Sequence, residues 1–134
     1  MSAVAAFLDP FHEPWAGTVG AWAAEHLPDP PPSEHDDAAR VEARMLAGRM
    51  GADGLFEAIG TADLRALCLT REAVAGRSPL ADAVVALQAL AATPILMAGT
   101  DAQKAEWIPR LVGGQAVGAF VMTVADLAAR RVLA

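Results

Sequence analysis

Tyrosine is absent from these 134 residues, cysteine occurs once, and aromatic residues of all kinds make up 5%. With no Tyr and little Ile, the chain lacks the residues that fill pleated, half-buried surfaces, which excludes a rich β-sheet. Cys68 has no partner for an internal disulfide, and it reads as a small buried hydrophobe in a reducing compartment. No His or Lys stands near it in sequence, so nothing activates it as a thiolate. Positive charge is also scarce. Ten Lys and Arg face sixteen Asp and Glu, for a net charge of −6. Such a surface repels phosphate backbones, which excludes nucleic acid as a partner. Arg130 and Arg131 form the one basic cluster, and two residues do not make a patch.

Long uninterrupted apolar runs are missing too. The N-terminal MSAVAAFLDPF has no basic residues ahead of its short apolar stretch, so it does not read as a signal peptide. The most apolar window, residues 79–99, contains Asp82, Gln88, Thr93 and Pro94. A membrane span needs ~20 apolar residues with few interruptions, so this window reads as a core helix and the location as cytoplasmic. Metal and nucleotide chemistry fare no better. His12, His26 and His35 are scattered, no two at the spacing that places imidazoles on one helix face, and each reads as a surface residue. GRMGADG has the wrong glycine spacing for a dinucleotide loop and follows a helical stretch. Ser2, Ser33 and Ser78 lie at the terminus or at caps, with none on a strained elbow. No catalytic residue and no metal ligand is assigned.

What the chain does have is alanine-rich apolar content, 54% hydrophobic against 19% charged, and a length suited to one domain. The pattern predicts a single all-α domain over 1–134, of about five helices in an orthogonal or up-and-down arrangement. One short strand near 117–123 and a short C-terminal helix complete it. The first helix opens at Asp9-Pro10, with Pro14 delaying regular structure, and buries Trp15, Val19, Trp22 and Ala23. Pro30–Pro32 make an extended connection. A second helix runs from about Ser33 to Met50 with Val41, Met45 and Leu46 inward, and LFEAIG forms a short turn before Gly60. Thr61 caps a third helix with Leu64, Leu67, Cys68 and Val74 available for burial. Ser78-Pro79 opens a fourth, apolar nearly all round and ended or kinked at Pro94. Thr100 caps a fifth, which Gly113-Gly114 stops and in which Trp107, Ile108 and Leu111 form a packing cluster.

One stretch, PILMAGTDAQKAEWIPRLVGGQAVGAFVMT (94–123), goes further. Its Pro94, Gly99-Thr100, Asp101, Gln103-Lys104, Trp107, Ile108-Pro109, Gly113 and terminal Phe120-Val121-Met122-Thr123 resemble, in order and spacing, the N-terminal region of acyl-CoA dehydrogenases. The likeness covers roughly residues 33–123, and the first helix loosely. It implies a helical domain from an FAD enzyme that oxidises a CH–CH bond of acyl-CoA thioesters. Such enzymes have a middle β-domain, a C-terminal bundle carrying the catalytic Glu, and usually a homo-oligomeric state. On this resemblance Phe120, Met122 and Thr123 would touch the flavin, and Ala86 and Leu90 would face the acyl chain. After Thr123 the family continues Glu-Pro-x-x-Gly-Ser-Asp, whereas this sequence reads Val124-Ala125-Asp126-Leu127 and ends at Ala134. The expectation is therefore a truncated member that is inactive by itself and does not retain FAD. The alternative is a helical association module, self-associating or joined to other dehydrogenase subunits, with the tail VADLAARRVLA covering part of its apolar surface.

Overall fold

In the computed structural model the described residues are 6–27 and 35–119. Among them are six helices: α1 (His12–His26), α2 (Asp36–Ala52), α3 (Glu57–Gly60), α4 (Leu64–Ala75), α5 (Pro79–Ala98) and α6 (Asp101–Val112). The domain is all-α. α5 is the central element and packs against α2, α3, α4 and α6, while α1 lies on α4. The core gathers Val19, Trp22, Met50, Phe56, Val74, Val85 and Leu111 with small residues such as Ala47, Ala81 and Ala92.

Local chemistry explains the helix starts that the sequence marked. The Ser78 side chain accepts from the Ala81 N–H, and Pro79 follows in the first turn, where its missing N–H costs nothing. The Thr100 side chain accepts from the Gln103 N–H while the Gln103 amide oxygen accepts from the Thr100 N–H, a reciprocal capping box.

Other expectations are corrected. α5 does not stop at Pro94 but runs on to Ala98, because Ala92, Ile95 and Leu96 hold its last turns against the core. α4 is capped by Asp63 instead of Thr61, whose hydroxyl donates backward to the Glu57 carbonyl. Pro14 sits in the opening turn of α1 and delays nothing, and Asp9 lies ahead of the N-cap position, which Phe11 holds. Cys68 and Leu64 are exposed, since Ala66, Thr70 and Val74 form the buried face of α4. On α2, Val41 and Met45 also face out, and Ala47 and Met50 take the core. His12 is not a surface residue: it is 1% exposed. Val117–Ala119 form no strand. Ser33, the remainder of the predicted strand (120–123) and the C-terminal helix lie outside the described residues.

α5 is long and apolar enough to cross a membrane. A third of that window is buried against the four helices around it, and Leu87, Leu90 and Met97 are exposed.

Candidate functional site

The polar side chains inside this domain are engaged in holding it together. His12 Nδ1 accepts from the Asp9 N–H at 2.9 Å, which leaves the ring proton on Nε2, where it donates to the Asp63 carboxylate at 3.1 Å. Asp63 also accepts from the Arg65 and Ala66 N–H groups at 3.0 Å. The Ala66 N–H, and then the His12 imidazole, hold its carboxyl below the ordinary aspartate range. Arg65 closes the ring by donating to Asp9 and to the Phe7 carbonyl. Next to it, Trp15 Nε1 donates to Thr70 Oγ1 at 3.0 Å. The first turns of α1 and α4 are thereby locked together across about 50 residues of sequence.

Gln88 does the same for α5 and the end of α6. It is fully buried, and its amide nitrogen donates to the Leu111 and Ala116 carbonyls at 3.0 and 2.9 Å. Its oxygen accepts from the Gly118 N–H. This one side chain fixes the course of 116–118 as the chain leaves α6. In the sequence it stood out only as a polar interruption of an apolar run. A lone amide facing inward on an otherwise apolar helix was the available signal. His12 gave less, because its partner Asp63 is remote in sequence.

With the polar groups occupied, what remains open is apolar. A groove of about 150 Å³ lies between α3, α4 and α5, lined by Ile59, Leu64, Leu67, Ala89, Leu96 and Met97 among others. Its one hydroxyl, Thr93, donates to the Ala89 carbonyl at 2.7 Å. Neither Ala86 nor Leu90 lines the groove itself. Leu90 is 48% exposed on the adjoining outer face of α5, and half-buried Ala86 lies seven residues before Thr93 and so on the same side of the helix. Phe120, Met122 and Thr123 lie outside the described residues.

Two further cavities, of about 350 and 260 Å³, flank Trp107 at the end of α5 and Trp15 beside Asp63. None of the three has an Arg or Lys in its wall. Among the described residues no three His, Cys, Asp or Glu gather as metal ligands. The groove between α3, α4 and α5 suits an alkyl chain. No cation stands in the three walls to meet a pyrophosphate, and the Gly118 N–H is already spent on Gln88.

A family model described as acyl-CoA dehydrogenase, N-terminal domain, matches residues 10–115, from the approach to α1 through α6. No curated protein matches the chain.

Proposed function

Given that this chain belongs to the acyl-CoA dehydrogenase N-terminal domain family, we propose that it supplies the apolar helical wall against which the acyl chain of a CoA thioester lies in an FAD-dependent oxidoreductase acting on CH–CH bonds. One observation carries this reading. The groove on α4 and α5 and the α5 face beside it are apolar, and the polar side chains nearest them, Thr93 and Gln88, spend their hydrogen bonds on backbone groups. Such a surface binds an alkyl chain and performs no proton transfer on it. Ala86 and Leu90 border the groove and would contact the chain. Phe120, Met122 and Thr123 would meet the flavin ring, with FAD supplying the hydride acceptor and other parts of such an enzyme supplying the base and the pyrophosphate site. By themselves, residues 1–134 neither turn over acyl-CoA nor hold FAD.

A calorimetric titration tests this. A long-chain acyl-CoA should bind the 134-residue chain more tightly than free CoA does, and Leu90→Asp should abolish the difference. Equal binding of the two, or an acyl preference untouched by L90D, would overturn the reading. Stoichiometric uptake of FAD, read from flavin fluorescence, would overturn its second half.

A second reading is favoured by the exposed apolar face of α5: a homo-oligomeric or subunit-associating helical module without catalysis.

A further inference from the structure

The cleft at the start of α1 differs in kind from the other two. About 260 Å³ in volume, it is lined by two aromatic rings, Phe11 and Trp15, and by two carboxylates, Glu57 and Asp63. Its wall holds no Lys or Arg, and it shares only Ala58 with the apolar groove on α4 and α5. We propose that this cleft binds a small quaternary ammonium cation, a free trimethylammonium compound held by the two rings and the two negative charges. The inference is independent of the acyl-chain reading above.

The rings are fixed by contacts that leave the cleft free. Trp15 Nε1 donates to the Thr70 hydroxyl at 3.0 Å and to the Ala66 carbonyl at 3.2 Å, so the indole cannot swing out without breaking both. Phe11 stacks on it, with ring centroids 5.9 Å apart and planes inclined by 30°. Phe11 is still 57% exposed, so much of its ring is open to a ligand. The face of an aromatic ring carries negative potential and attracts a cation lying within about 6 Å of its centre.

Hydrogen-bonding capacity selects the kind of cation. Asp63 Oδ1 accepts from the Arg65 and Ala66 N–H groups, and Oδ2 accepts from His12 Nε2. The Ala66 N–H, and then His12, keep this carboxyl ionised into the acid range. Asp63 therefore brings its charge to the cleft while most of its lone pairs are filled. Glu57 makes no ion pair among the described residues. Arg65, two residues beyond Asp63, is paired with Asp9. The Thr61 hydroxyl donates to the Glu57 and Ala58 carbonyls. A cation with N–H groups needs acceptors and finds few of them on Asp63. A quaternary cation needs none: it requires negative charge and ring faces, which this wall supplies. The net charge of −6 draws cations toward the molecule as a whole.

Nuclear magnetic resonance of the indole N–H groups of the 134-residue chain tests the inference, because Trp22 and Trp107 are internal controls for Trp15. Trp15→Phe assigns the Trp15 signal by its loss. Tetramethylammonium chloride should move that signal alone and saturate in the range of ~1–10 mM, whereas sodium chloride at the same concentration should not move it. Two comparison probes are tert-butanol, neutral and similar in shape, and methylammonium, which carries N–H donors. Each should bind at least about fivefold more weakly. Glu57→Gln removes a charge and Phe11→Leu removes a ring. Either should weaken tetramethylammonium about threefold or more, with circular dichroism unchanged. A peptide containing trimethyllysine should bind no more tightly than tetramethylammonium. A Trp15 signal that stays still, or that moves only together with the other two indoles, would overturn the site. Equal binding of tert-butanol would show an apolar hole, and tighter binding of methylammonium or of the peptide would overturn the assignment to a free quaternary cation. Unchanged affinity in both E57Q and F11L would place the ligand elsewhere.

Discussion

His12 and Asp63 lie 51 residues apart, yet the buried imidazole donates to a carboxylate that also caps α4. The pair couples two events that are separate in most domains, the docking of α1 and the start of α4. Replacing Asp63 by Ala removes both at once. Loss of an N-cap costs about 1 kcal/mol, and a buried donor left without its acceptor costs about 1–3 more. Asp63→Ala is therefore expected to destabilise the chain by roughly 2–4 kcal/mol in a urea titration. Asp63→Asn, which keeps a capping oxygen, should cost less.

The same carboxylate sets an acid limit on stability. Its pKa in the folded chain lies below the usual value, chiefly through the Ala66 N–H and then through His12. A group held down in this way adds stability that is complete above its unfolded pKa, near ~4, and is lost as pH falls through the folded value. The urea midpoint of the wild type should fall more steeply than that of D63N as pH drops from 4 toward the folded pKa. Parallel curves for the two proteins in that window would show that Asp63 is not the titrating anchor.

Gln88 allows a local test. Gln88→Leu keeps the approximate volume and strands the Ala116 carbonyl and the Gly118 N–H, while the Leu111 carbonyl keeps the Gly114 N–H. Each unpaired backbone group costs about 1–3 kcal/mol if it stays dry, but the segment can open to water instead. The expected outcome is a global loss of roughly 2 kcal/mol, with hydrogen-exchange protection vanishing at Gly118 before it declines in the middle of α5. Uniform loss of protection along α5 would mean that Gln88 serves the core and not the path of the chain after α6.

These features sort by how far their causes reach along the sequence. The Ser78-Pro79 and Thr100–Gln103 starts were legible because cap and capped group lie within three residues. The face formed by Val19, Trp22 and Ala23 was legible because α1 has one apolar side. α5 is apolar nearly all round, so its own pattern could not say that Val85 and Ala92 turn inward while Leu90 and Met97 turn out. Cys68 and Leu64 were misplaced for a related reason: α4 offers apolar residues on two sides, and contact with α1 and α5 chooses Ala66 and Val74. His12 and Gln88 needed partners about 20 to 50 residues away, which no local pattern reveals. For the site, the resemblance carried by residues 94–123 pointed to the family, whereas the groove depends on how α3, α4 and α5 meet.

A close backbone approach between α2 and the turn after α6 yields a prediction with a change of sign along a single helix. The Gly113–Gly114 turn after α6 lies directly on α2. A Cβ at Gly51 would come within 2.6 Å of the Gly113 carbonyl oxygen and closer still to its carbon, and backbone there cannot swing aside. Gly114 has φ +66°, and a Cβ on it would collide with the Ala47 carbonyl. Gly48, one turn earlier on α2, has nothing within 4 Å of where its Cβ would stand. Alanine there replaces the poorer helix former with the best one and reduces the freedom of the unfolded chain, so Gly48→Ala should stabilise by about 0.5–1 kcal/mol. Gly51→Ala gains the same propensity but must push the α6 turn off the helix, an overpacking cost of about 1–3 kcal/mol or more. Gly114→Ala adds a left-handed backbone penalty of about 1–2 kcal/mol to a comparable clash. Thermal midpoints of the three variants should therefore fall in the order G48A above wild type, then G51A, then G114A. A G51A variant as stable as G48A would mean that α6 does not rest on α2 at this point, and that the turn carrying the chain toward Gly118 is placed by Gln88 alone.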